Sequence, residues 1–447
     1  MSREKAPIRN GEDSMFPTEA RKNSVDEILD VIPNQADLII PIANGEPDAI
    51  LSALDQQANR YTDVHIHQML PLRERRYIEG AYLGHIRYVS YFLSGASRKA
   101  FLEGKCDLVP NHFHEMPRIL ADNTRQPIVV AVASPMDSHG YFSLGTQADY
   151  ASPFIGKVPF ILEVNQQMPR TSGDNQIHIS QVAAYIETDY PLHELKSPPI
   201  SDTDRQIATL VAERIGDGST LQVGIGGVPN AILSLLSNHK DLGVHTEMLT
   251  EGIVDLAEKG AITGLKKNLH TGKIVATFAY GTKRLYDFIH ENRSVEFYRV
   301  DHINDPRVIG QEDNIVSINS TTEVDFFGQC ASETVAGRYY SSTGGQSDFA
   351  RGARFAKNGK GFICLTSTAK DGAISRIRPQ LTHGSAVTTS KNDVDHVVTE
   401  YGVAELSGKS ISRRIEALIG IAHPKFREEL RAEAERLGLV DKRVFSL

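Results

Sequence analysis

Residues Thr220–Asp255 read TLQVGIGGVPNAILSLLSNHKDLGVHTEMLTEGIVD. Leu221–Ile225 has the apolar, β-branched character of a strand, and Gly226 and Gly227 turn the chain. Pro229 suits the first turn of a helix, predicted over Asn230–Leu236, and a second short strand follows at Gly243–Glu247. Strand, helix and strand with short joints form a right-handed βαβ unit. Such a unit delivers the C-terminal ends of both strands to one edge of the sheet, where open α/β folds bind ligands. The glycine loop and Glu247 are therefore expected to be neighbours. Backbone N–H groups in a glycine turn can hold an anion or a developing oxyanion. A carboxylate beside them is equipped to act as a covalent nucleophile. The same residues also fit a purely steric turn and a solvated surface glutamate. GIGG is not the dinucleotide fingerprint, because Pro229 stands where its third glycine belongs.

The flanking sequence repeats the alternation. ADLIIPI (Ala36–Ile42), PIVVAVA (Pro127–Ala133), VPFILEV (Val158–Val164), KIVATFA (Lys273–Ala279) and GFICLT (Gly361–Thr366) read as buried strands. Pro47–Ala58 reads as a helix with Ala49, Ile50, Leu51 and Leu54 on its apolar face. Another begins near Asp204, with Ile207, Leu210, Val211 and Ile215 aligned. Ser410–Leu437 reads as helices interrupted at His423–Pro424. Continuous apolar strands between helices imply an α/β protein whose sheets are covered on both faces. The Pro- and Ser-bearing break KSPPISDTD (Lys196–Asp204) divides the chain into residues 1–200 and 201–447.

Composition narrows the function. A chain of 447 residues with 40% hydrophobic and 23% charged residues can build several cores. A formal net charge of −8, without a basic block, argues against nucleic-acid or anionic-membrane partners. No apolar run approaches a bilayer span, and the charged start MSREKAPIRNGEDS has no signal core. Three scattered cysteines, Cys106, Cys330 and Cys364, fit a reducing, cytoplasmic setting. There is no GxSxG elbow, GxxxxGK[ST] loop, CxxC or HExxH. His65–His67 (HIH) and His112–Glu115 (HFHE) pair imidazoles at strand spacing, but neither has a matching third ligand in sequence, so no metal is expected. Tyr88–Phe92 reads as core. Two further stretches offer a ligand cradle or a solvated surface: SSTGGQSDFARGAR (Ser341–Arg354), and STAKDGAISRIRPQL (Ser367–Leu381) with Lys370, Arg376 and Arg378.

LQVGIGGVPNAIL, HTEMLTEGIVDL, KIVATFAYGTKRLYDFI, INDPRVI, DNIVSINSTTEVDFFGQ, STGGQSDFARGA and VDHVVTEYGVAEL occur in an order that resembles the acetyl-CoA hydrolase/transferase family. The resemblance spans about Ser24 to Leu437 and is nearest the 4-hydroxybutyrate and butyryl-CoA:acetate CoA-transferase branch. It implies two similar open α/β domains with the active site in the cleft between them. It also implies transfer of CoA from an acyl-CoA to a short-chain carboxylate, with Glu247 of His245–Met248 as the catalytic residue. In the same way it assigns Gly224, Ile225, Gly226, Gly227 and Val228 to CoA and the oxyanion, Thr322 and Gly345 to further CoA contacts, and Asn304 and Glu400 to support of the carboxylate. No cofactor beyond CoA as substrate is implied, and a homo-oligomer is expected. An acyl-CoA hydrolase on the same scaffold, or a non-catalytic CoA-binding protein, are the alternatives. The acyl pocket is expected around Ser94–Ser97 and His112–Glu115.

Overall fold

The computed structural model describes residues 22–440. The charged N-terminal stretch discussed above lies outside them. Two sheets dominate. The first has seven parallel strands in the spatial order Val182–Thr188, Phe160–Asn165, Pro127–Ala133, Asp37–Ile40, Val64–Met69, Ile86–Phe92 and Asp107–Leu108. The second has nine, in the order Gly402–Glu405, His396–Thr399, Lys360–Cys364, Ile315–Ser320, Thr220–Val223, Gly243–Leu249, Ile274–Ala279, Val295–Phe297 and Ser172–Gly173. All of its pairings are parallel except that of Gly402–Glu405, which folds back antiparallel on His396–Thr399.

The central strands are buried almost along their whole length because helices cover both faces. Ile274–Ala279 shows this in its alternation. Ile274 and Ala276 enter a core with Leu221, Val244 and Ile253, whereas Val275 faces Ile303, Ile309 and Phe349. In the first sheet, Leu38 and Ile40 pack with Ile50, Leu51 and Leu54 of the helix Asp48–Gln56. That helix has no capping side chain of its own at Pro47. Glu163, fully buried on a central strand, supplies one instead by accepting the amides of Ala49 and Ile50 at 3.2 and 3.1 Å.

The βαβ unit forms as read, with shifted bounds: its strands are Thr220–Val223, ending two residues before Ile225, and Gly243–Leu249, running two residues past Glu247. The helix runs Gly227–Leu235 and so begins before Asn230. Gly226 makes this possible by taking φ 136°, a conformation that L side chains rarely adopt. Pro229 then falls in the first turn, where its missing N–H has no intrahelical acceptor to lose. At the Lys196–Asp204 break, Ser201 caps the helix Asp202–Ala212 and Asp204 answers it in a capping box. The C-terminal helices are Ile411–Ile421 and Arg427–Arg436, separated by a single tight turn at Pro424–Phe426. All three cysteines are buried and free.

The two sheets are tied to each other. Ser172–Gly173 leaves the first half of the chain and pairs with Glu296 and Phe297 at the edge of the second sheet. Gly173 has φ 119°, and a Cβ there would sit 2.0 Å from the Phe297 carbonyl oxygen. Met248, Phe278, Tyr280 and Val300 of the second half are buried in one core with Ile39, Ile42, Met69, Tyr91 and Phe113 of the first. Among the described residues, no helix is long and apolar enough to cross a membrane.

Candidate active site

The C-terminal ends of the central strands of both sheets converge on one cavity of about 240 Å³. Glu247 stands in its wall, on the strand Gly243–Leu249, beside Gly224 and Ile225 of the glycine loop. Ile42, Met69, Leu70, Phe92 and Phe113 come from the first half of the chain; Met248 and Phe278 come from the second. Ser341–Gln346 closes the remaining side, with Gln222 and Asn319 beneath it.

Glu247 is held by two donors. Asn304 Nδ2 donates to Oε2 at 2.7 Å, and the Gly345 amide supplies the other. Asn304 is fully buried at the end of the short helix Val300–Ile303, which fixes its position. Burial nevertheless raises the Glu247 pKa to about 7; the Asp348 carboxylate adds to the rise, and the two donors oppose it. Gly345 has to be glycine, since a Cβ there would lie 1.9 Å from Glu247 Oε2 and 2.2 Å from Asn304 Nδ2.

A bridge between the halves stands behind the carboxylate. His114 Nδ1 lies 2.7 Å from Asp348 Oδ1, and the His114 amide donates to Oδ2 at 3.2 Å. Burial works against a charged His114, but the Asp348 carboxylate outweighs it and raises the imidazole pKa. His245, two residues before Glu247, is fully buried and bonded through Nε2 to the Ile303 carbonyl at 2.8 Å. Burial lowers its pKa to about 3, so it stays neutral and holds the strand against the segment that carries Asn304.

The other residues singled out in the sequence fall in three places. Gly226, Gly227 and Val228 are not among the residues that line the cavity; they open the helix Gly227–Leu235, whose first-turn amides have no intrahelical acceptor. A Cβ on Gly227 would meet the Asp204 carboxylate at 2.5 Å, so this glycine serves packing. Thr322 lies outside the Glu247 cavity, and its hydroxyl is engaged with the carbonyls of Ala331 and Thr334. It lines a neighbouring cavity of about 330 Å³ with Lys370, Arg376 and Arg378. Glu400 does not line the Glu247 cavity either; it accepts from the Ser367 amide at 2.9 Å and from the Ser367 hydroxyl at 2.5 Å.

The acyl-pocket expectation needs correction. Ser94 caps the helix Gly95–Leu102 and spends its hydroxyl on the Pro71 carbonyl, so Ser94–Ser97 do not line the cavity. Of His112–Glu115, Phe113 alone does. Phe92, read as core, ends its strand and faces the cavity instead. The topology rule that ligands sit at the C-terminal strand ends, applied to Ile42, Met69 and Phe92, points to this wall.

The chain is similar to known proteins over most of its length. Residues 16–193 match the model of the acetyl-CoA hydrolase/transferase N-terminal domain, and residues 281–434 that of the C-terminal domain. The Glu247 strand lies between the matched ranges. The succinyl-CoA:cyclohexane-1-carboxylate CoA transferase of Geobacter metallireducens is 47% identical over 404 residues, 90% of this chain and 92% of that protein. The 4-hydroxybutyrate coenzyme A transferase of Clostridium kluyveri is 43% identical over 416 residues, 92% of this chain and 97% of that protein. The crystal structure of RipA from Yersinia pestis is similar with a TM-score of 0.89 at 35% identity, covering 96% of this chain and 99% of that one. With both domain models matched in order and full-length relatives on either side, the chain belongs to the acetyl-CoA hydrolase/transferase family.

Proposed function

We propose that this protein is an acyl-CoA:carboxylate CoA-transferase that works through a glutamyl-CoA thioester on Glu247. The observation that carries the reading is the carboxylate itself: aimed into a cavity, backed by Asn304, and adjoining the glycine-loop residues Gly224 and Ile225. Glu247 in its ionised form attacks the thioester carbonyl, and a glycine-loop amide receives the oxyanion, that of Ile225 being the candidate that lines the cavity. Collapse expels CoA as its thiolate and leaves an acyl–glutamyl anhydride. The thiolate then attacks the Glu247 carbonyl, the donor's carboxylate departs, and glutamyl-CoA remains. A second carboxylate reverses these steps and leaves as the new thioester, which regenerates Glu247. Thioester is exchanged for thioester, so the cycle consumes no ATP.

The cavity bears on the substrate. Its volume equals that of about eight water molecules in the liquid. That is room for a short acyl group and its thioester, while the rest of CoA extends outward. Glu247 is the only ionisable residue among those lining it, and the far wall is Met69, Leu70, Phe92, Phe113 and Phe278. An uncharged acyl chain suits this lining, whereas a dicarboxylate would bury a charge with no cation opposite. The adjoining cavity with Lys370, Arg376 and Arg378 suits the phosphates of CoA, with Thr322 at its edge.

The reading is tested by following butyryl-CoA with and without acetate. Acetyl-CoA that forms only when acetate is present, with butyryl-CoA preferred over succinyl-CoA, supports it. CoA release at one rate regardless of acetate identifies a hydrolase. Neither product across several acyl chains leaves a CoA-binding protein.

A further inference from the structure

The first sheet gathers three ligand-bearing side chains at the edge opposite the cavity. Asp37 opens the strand Asp37–Ile40, and its register partner on the neighbouring strand is His65. His67 follows two residues later, so both imidazoles and the carboxylate stand on one face. The later residues of the same two strand segments, Ile42 and Met69, reach the Glu247 cavity. In sequence HIH lacks a third ligand; strand pairing supplies it. This is the one group with metal-ligand composition and convergence among the described residues.

The distances suit a metal. Asp37 Oδ1 lies 3.3 Å from His65 Nδ1 and 3.2 Å from His67 Nε2. Two ligand atoms each about 2 Å from a tetrahedral cation are separated by roughly 3.3 Å. The outer nitrogens are also engaged as metal-bound imidazoles require: His65 Nε2 lies 3.1 Å from Asp63 Oδ1, and His67 Nδ1 lies 3.0 Å from the Tyr91 hydroxyl. Asp37 Oδ2 is occupied separately, by the Arg125 amide at 2.7 Å and Nε at 3.3 Å, which leaves Oδ1 for the shared centre.

His65 makes the case sharper, because it stands between two carboxylate oxygens. With one N–H an imidazole presents a lone pair to one of these carboxylates, and either a second proton or a bound cation relieves that contact. A cation between Nδ1 and Asp37 Oδ1 removes that conflict and frees Nε2–H to donate to Asp63. The charges agree: Asp37 and Asp63 share the single cation Arg125, which bonds Asp63 Oδ2 at 2.6 Å, and a divalent ion offsets the remaining negative charge. Asp37 is 1% exposed and His67 5%, while the His65 ring keeps an opening to solvent.

We propose that Asp37, His65 and His67 bind a divalent cation of the zinc class, with water in the fourth position. Zn2+ alone is the probe. Full-length protein stripped with a chelator is titrated with Zn2+ against a chromophoric competitor, and Co2+ is added in parallel to read the strong visible band of a four-coordinate site. Expected are one equivalent bound and a tetrahedral Co2+ band. In both His65→Gln and His67→Gln the zinc affinity falls at least tenfold and the band is lost, while acyl exchange is unchanged. His65→Gln, at the more open residue, keeps the test valid if His67→Gln misfolds. Zinc binding as tight in His65→Gln as in the unsubstituted protein, or no cobalt band in the latter, overturns the proposal and leaves a histidine pair held by hydrogen bonds alone.

Discussion

Glu247 combines two requirements that pull against each other. As the proposed nucleophile it must be ionised to attack, yet burial holds its pKa near 7, so the acid limb of kcat/KM for acyl-CoA is expected there rather than near an ordinary carboxylate value. Asn304→Ala removes a donor to the charged form. It should move that limb to higher pH and cut turnover roughly tenfold or more, measured as a pH–rate profile. Asp348→Asn removes a nearby negative charge and should move the limb the other way. The same shift affects stability. A carboxyl group whose folded pKa lies above its unfolded value favours the folded state only while protonated, and that contribution is lost as pH rises through about 7. Glu247→Gln should therefore raise the thermal midpoint more at pH 8 than at pH 5, by an amount on the order of 1–3 kcal/mol in stability. An equal change at both pH values would show that the carboxylate is not strained by its site. The place of Glu247 beside the glycine loop was legible in the sequence because a strand–glycine–helix–strand pattern brings both to one edge of the sheet; its catalytic assignment came from the family resemblance. Asn304 and Gly345 came from the family resemblance, and their roles emerge only when Val300–Ile303 and Gln346–Phe355 pack against that strand.

At the scale of elements, the glycines act by what they exclude. Gly345→Ala would put a methyl group into the space of Glu247 Oε2 and Asn304 Nδ2, so acyl exchange should fall by two orders of magnitude or more while the fold persists. Circular dichroism with an exchange assay separates the two effects. Gly173→Ala is the structural counterpart. It places a side chain against Phe297 in a strained backbone conformation, and should cost about 1–3 kcal/mol in denaturant unfolding. The seven strands read from sequence lie within about two residues of the observed ones, since continuous apolar runs have few other ways to be buried, whereas strands such as Val182–Thr188, Ile315–Ser320 and Gly402–Glu405 were not read. Ser172–Gly173 is invisible to that method: two residues carry no periodicity, and their pairing depends on where the second sheet ends. The acyl wall was missed for a related reason. Phe92 belongs to an apolar strand like any core residue, and only its place at the strand's end turns it to the cavity.

For the molecule as a whole, the site exists because two halves of the chain share it. The first half supplies most of the apolar wall and His114; the second supplies Glu247, Asn304 and Asp348, with Met248 and Phe278 completing the wall. Phe278 sits where they meet, 3% exposed in the shared core and at the cavity edge. Phe278→Ala should cost about 3–5 kcal/mol in unfolding and loosen the cavity as well, so the KM for butyryl-CoA should rise with the loss of stability. The most direct test of the central claim is intact mass spectrometry after incubation with butyryl-CoA and no acceptor. Expected is an adduct equal to CoA minus water, absent in Glu247→Gln and discharged by acetate. A protein that turns over acyl-CoA and acetate without ever carrying that adduct, or that carries it equally in Glu247→Gln, would contradict a glutamyl-CoA intermediate on this residue.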